Sequence, residues 1–191
     1  MSDKKKKGRR AYLSDYVLDV NGEYVYTGDY YMAAVEQSKD FARVMRAVSG
    51  LAVLSFAFLV GIGCLSTGTT SGAFYVTVPY VAAIVFTAIC IYDSFAVAGS
   101  KGKLKAHLFE NNVSRLKGMS FAGTIASFAA AAGQLGYVIF AGNKYKITAD
   151  LLFLAGCSVA GALLLVTFRL QKHIMWQKHT DKGQKSIDKI G

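Results

Sequence analysis

Long uncharged blocks alternate with short charged ones along the chain, and that segregation sets the first reading. Between Ala47 and Gly99 the only charged side chain is Asp93; between Gly118 and Ala149 only Lys144 and Lys146 are charged; from Leu151 to Phe168 there is none. A helix that crosses a bilayer needs about 20 mostly apolar residues, because the hydrocarbon core is about 30 Å thick and each helical residue rises about 1.5 Å. Four stretches are long enough, running from about Ala47 to Leu65, Phe74 to Ala98, Met119 to Ala141 and Leu151 to Leu170. Each must be a helix, since a lone strand in lipid would leave its backbone groups unpaired. Pro79 falls in the first turns of the second stretch, where a missing N–H costs least. The pattern predicts an all-α membrane protein. A four-helix transmembrane bundle over residues 41–170 would follow an N-terminal segment, 1–40, and precede a basic tail, 171–191.

The connections orient the bundle. The segment after the first span, Ser66 to Ala73, carries no charge, whereas Ser100 to Lys117 holds Lys101, Lys103, Lys105, Arg115 and Lys117. Placing both termini and this middle connection in the cytoplasm puts all but Lys144 and Lys146 of the 22 Lys and Arg residues on that side. That is the charge bias that fixes orientation in the plasma membrane. Tyr75, Tyr80, Tyr137 and Tyr145 then fall near the outer boundary, with Tyr92 and Trp176 near the inner one, depths that suit amphipathic rings.

Outside the spans the N-terminal segment is the most structured on paper. Residues 1–10 are charged and read as disordered. Val17 to Val20 and Glu23 to Tyr26 flank Asn21-Gly22, a β-hairpin signature with a two-residue turn. Asp29 is placed to cap a helix running through Glu36 and Lys39. A hairpin alone is marginal in water and needs a surface to cover it. Tyr12, Tyr16, Tyr24, Tyr26, Tyr30 and Tyr31 supply that apolar area. They are candidates for docking a partner, or for folding back on the chain's own middle connection. Apolar residues between Lys103 and Lys117 suggest an extension of the second helix or a short interfacial helix, and the fourth helix is expected to continue through Trp176.

Polar residues within the spans are few. Asp93 is the one acid within a span, close enough to its inner end to be a structural acid paired with a neighbouring cation such as Arg169 or Arg46, or else a proton- or cation-linked site. Gln134 can hydrogen-bond across helices. Gly123, Ser127 and Ala131 repeat every four positions in the third span, and Gly156 and Ala160 do so in the fourth. Such stripes allow close helix approach, either within the bundle or against another subunit, and two of them favour the second use.

Composition then narrows the function. The 191 residues are 53% hydrophobic and 18% charged, where a soluble domain keeps about 25%. The net charge of +10 could neutralise nucleic-acid phosphates, but its cations flank the apolar blocks and read as contacts to anionic headgroups. No nucleic-acid partner is expected, and the late first apolar run argues against a cleaved leader. Cys64, Cys90 and Cys157 have no metal or redox spacing, and His107, His173 and His179 all lie outside the spans. Asn112 begins a glycosylation triplet that this topology keeps in the cytoplasm. Catalytic, cofactor and metal motifs are absent, so no enzyme is expected. The chain reads as an accessory, anchoring or regulatory subunit of a larger membrane assembly. The alternative is a small transporter or channel formed by a homo-oligomer, with Asp93 on its path.

Overall fold

A computed structural model of the chain describes residues 16–18, 22, 24–26, 28–33, 38–65, 73–100, 102–140 and 147–179. Four long helices dominate it: α1 (Ser38–Gly63), α2 (Phe74–Gly99), α3 (Ala106–Phe140) and α4 (Ile147–Lys172). All four are long and apolar enough to cross a membrane. Each begins or ends beyond the uncharged block that predicts it. Helix α1 starts at Ser38, where Asp40 sits in the first turn and favours the positive end of the helix dipole. Helix α3 reaches back to Ala106 through a π-helical turn at Phe109–Val113. The extension expected on the second helix is therefore carried by the third.

The helices run alternately up and down and close into a square. Helix α1 packs on α2 and α4, and α3 packs on the same two. Large apolar side chains such as Val81, Ile125 and Leu152 point outward, while small and polar ones fill the interior. An apolar exterior on this scale is compatible with a lipid surround. The core has two layers. Phe41, Met45, Val48, Cys90, Val97 and Leu116 pack at one end, and Leu59, Ile62, Val76, Ala83, Phe153 and Cys157 at the other.

The small-residue stripes are used inside this square. A Cβ on Gly156 would collide with Cγ2 of Ile62 on α1, and one on Gly123 would lie 3.0 Å from Cδ1 of Leu164 on α4. Ser127, Ala131 and Ala160 are buried, and the Ser55 hydroxyl of α1 donates to the Ala160 carbonyl at 3.1 Å. The preference for an external helix at these stripes is thus corrected: the faces serve the chain's own crossings. Tyr80 adds a tie between α2 and α1, donating to the Leu59 carbonyl at 2.6 Å.

Five short strands gather at one end. Strands β1 (Tyr16–Leu18) and β2 (Tyr24–Tyr26) form the expected hairpin, but Leu18 pairs with Tyr24 and Tyr16 with Tyr26. A two-residue Asn21-Gly22 turn would pair Val20 with Glu23 and so Leu18 with Val25. The register is one residue away from that, with a positive φ at Gly22. The helix expected from Asp29 is instead strand β3 (Tyr30–Ala33), the centre of a second, three-stranded sheet. Antiparallel to it lie β4 (Lys103–Lys105), from the connection after α2, and β5 (Trp176–His179), from the tail. The fourth helix accordingly stops at Lys172 and does not continue through Trp176. Gly102 makes the turn into β4 with φ +84, and its carbonyl accepts from the Ala33 N–H at 2.9 Å.

Candidate functional site

Two polar clusters lie within the helical square, one towards each end, and the sheet caps the nearer one. Asp93 is on the face of α2 that also buries Cys90, Ser94 and Val97. Its carboxylate is fully buried and held by a two-pronged Arg115 guanidinium, Nε to Oδ2 at 2.8 Å and Nη2 to Oδ1 at 2.5 Å. The partner is thus neither Arg169 nor Arg46; Arg46 instead donates to the Ala42 carbonyl of its own helix. The Arg115 side chain remains 43% exposed, so water reaches the cationic half of the pair.

One turn deeper, Ser120 links three helices. It donates to the Leu116 carbonyl at 2.7 Å, accepts from the Gln171 amide at 3.0 Å and lies 3.5 Å from the Cys90 sulfur. At the far end Gln134 is fully buried and donates its amide to Oδ1 of Asp150 at 3.0 Å. Asp150 occupies the first turn of α4, where the helix dipole stabilises a carboxylate. It was not singled out from the sequence because it borders an uncharged block. The signal that could have found it is the buried stripe of α4 itself, in which Asp150, Phe153 and Cys157 recur at helical spacing.

The tyrosines converge on the sheet end. The rings of Tyr16 and Tyr26 meet edge to face at 5.2 Å, and Tyr26 meets Tyr30 at 5.1 Å. The Tyr26 hydroxyl donates to the Asp29 carbonyl and accepts from the Ala106 N–H. Tyr31 stacks on Phe109 with centroids 4.0 Å apart, and Trp176 packs edge-on against both Phe109 and Phe41. Four of the six candidate docking tyrosines are thereby engaged within the chain. Tyr24 is exposed, and Tyr12 lies outside the described residues.

Charge at this end is of two kinds. Lys178 pairs with Asp29 at 2.6 Å, and Arg43 pairs with Asp40 at 3.5 Å. The hydrogen bond that Lys178 donates to Asp29, and then the charge of that carboxylate, holds the Lys178 ammonium above the usual lysine range. Lys103 and Lys105 have no carboxylate within ion-pair distance among the described residues. Lys103 lies over the Tyr30 ring, while Lys105 lies over Tyr16 and Tyr26 and donates to the Tyr16 hydroxyl at 3.0 Å. Every described Lys and Arg belongs to this end of the bundle. Among the described residues no three His, Cys, Asp or Glu side chains come together as a metal site would require. Set against protein-family models, curated proteins and solved structures, the chain matches none.

Proposed function

We propose that this chain is an integral protein of the cytoplasmic membrane, and that it acts as a non-catalytic accessory or anchoring subunit of a larger membrane assembly. In this reading the sheet end and both termini lie in the cytoplasm, where the cations gathered there meet anionic headgroups. The observation that carries it is the cap. An N-terminal strand, the middle connection and the tail are joined in one sheet and locked to the bundle by Tyr31, Phe109, Trp176 and Phe41. A lipid anchor alone needs no such structure. A rigid platform beside the membrane suits the task of holding another subunit at fixed geometry. The short edge strands β4 and β5 and the exposed Tyr24 offer surfaces for that contact.

The transporter reading draws support from a different observation. Two buried acids, Asp93 and Asp150, sit in the helical square, one towards each end. Against Asp93 on a path stands its Arg115 partner, which takes both carboxylate oxygens and suits a structural acid better. Extraction of the endogenous protein in mild detergent separates the two. Unlike subunits retained at a fixed ratio are expected. A symmetric homo-oligomer that passes protons or cations into vesicles would replace the subunit reading with the transporter, and a lone monomer would end both.

A further inference from the structure

A groove of about 690 Å³ opens where the outer face of α2 meets β4 and the start of α3. Its chemistry is graded. On the side towards the middle of the bundle it is lined by Tyr92 and Ala96 of α2, with Leu108 beside them; on the side of the sheet it is lined by Lys103, Lys105 and Asn112. The alternation of a strand explains the cationic wall. Lys103 and Lys105 project from one face of β4 while Leu104, between them, is buried on the other. Neither lysine has a carboxylate within ion-pair distance among the described residues, whereas Arg43, Arg115 and Lys178 at the same end are paired. Their partners are tyrosine rings and, for Lys105, the Tyr16 hydroxyl, which orient the ammonium groups without cancelling their charge. The Asn112 amide makes no hydrogen bond to another described residue and adds a donor to the same wall.

We propose that this groove binds one anionic glycerophospholipid, its headgroup phosphate held by Lys103, Lys105 and Asn112 and its acyl chains lying along α2 past Ala96 and Tyr92. The grading from charged to apolar within one concavity follows the order of phosphate, glycerol and chain in such a lipid. A free anion has no use for the apolar half. Uncompensated Lys pairs at this depth are also where a negative leaflet exerts its attraction. The inference depends on the membrane placement argued above and is independent of the subunit role.

The test uses the full chain in mild detergent, with native mass spectrometry to count bound phosphatidylglycerol against phosphatidylcholine of matched chains. The wild type is expected to prefer phosphatidylglycerol by about ten-fold. The double substitution Lys103→Gln/Lys105→Gln should remove that preference. Ala96→Phe, which leaves every charge in place and fills the apolar half, should weaken phosphatidylglycerol binding to the same extent. Lys117→Gln/Lys172→Gln, at the same end but outside the groove, should leave binding within about two-fold. Equal binding of the two lipids by the wild type overturns the site, as does an equal loss in the Lys117/Lys172 control. Competition by inorganic phosphate as effective as that by the lipid would assign the cations to a free anion and sink the lipid. Should Lys105→Gln unseat the hairpin, seen as faster hydrogen exchange in β1 and β2, Ala96→Phe decides alone. A chain that stays in solution without detergent would defeat the membrane placement itself, a result distinct from a detergent-bound chain with no lipid preference.

Discussion

Asp93 shows how one buried charge is matched by a single partner. The carboxylate has no exposure, yet Arg115 meets it with a planar fork and keeps its own far side in water. Removing one partner of a buried pair costs about 3–5 kcal/mol, because the other charge is stranded. Water access through the half-exposed arginine lowers that figure. Arg115→Met should therefore destabilise the protein by about 2 kcal/mol in a thermal melt in detergent. The double substitution Asp93→Leu/Arg115→Met should recover most of the loss. A double variant as unstable as the single one would show that the pair does more than satisfy its own charges. Glycine offers a second contrast at this scale. Gly156→Ala drives a methyl into the stiff, β-branched Ile62 and should cost about 1–3 kcal/mol. Gly50→Ala, on an open face of α1, should gain about 0.5–1 kcal/mol of helix propensity. Paired unfolding curves of the two variants check the sign of each.

At the scale of elements the cap is the part with testable joints. Gly102 holds φ +84 while packed 3.5 Å from Ala33 and 3.6 Å from Phe41, measured from where its Cβ would lie. Gly102→Ala forces an L-residue into the left-handed region and should cost about 1–2 kcal/mol, read as faster hydrogen exchange in β3 and β4. The Lys178–Asp29 pair ties β5 to the turn before β3 and has a defined pH window. Because the folded ammonium has a raised pKa, the tie is complete below the ordinary lysine value and fades as pH rises through the higher folded one. Trp176 is the chain's one tryptophan and borders this joint, so its fluorescence should report an alkaline transition that Lys178→Met abolishes. An unchanged transition in that variant would assign it to another group. These joints are also where the sequence was hardest to read. The four helices were legible because lipid-length apolar blocks depend only on local composition. The strand at Tyr30–Ala33 was not, since Asp29 looks like a helix cap and the two strands that claim it come from about 75 and 150 positions away. Arg115 was missed for the same reason: it lies 22 positions from Asp93, and periodicity within one span says nothing of which face another presents.

For the whole molecule, the interior is built from contacts that do not need every covalent link. Helix α1 meets α2 through Tyr80 and α4 through Ser55 and Gly156, while β3 joins the rest through β4 and β5. Fragments 1–69 and 70–191, co-expressed, should therefore associate and co-purify in detergent. Tyr31→Asp, which puts a charge where the ring stacks on Phe109, should weaken their association by about ten-fold or more. Fragments that separate on purification would show that the loop between α1 and α2 is essential to assembly.

The three-stranded sheet also constrains how the chain can be threaded. Its strands are separated by α1 and α2, and then by α3 and α4; if these helices span the membrane as proposed above, the strands can meet only when each pair completes an even number of passages. A helix that failed to insert, or that entered backwards, would strand one segment in the opposite compartment and leave β3 without a neighbour. Since β5 is made last, the cap closes only when all four passages have succeeded. On that placement, parity is written into the hydrogen bonds of three short strands.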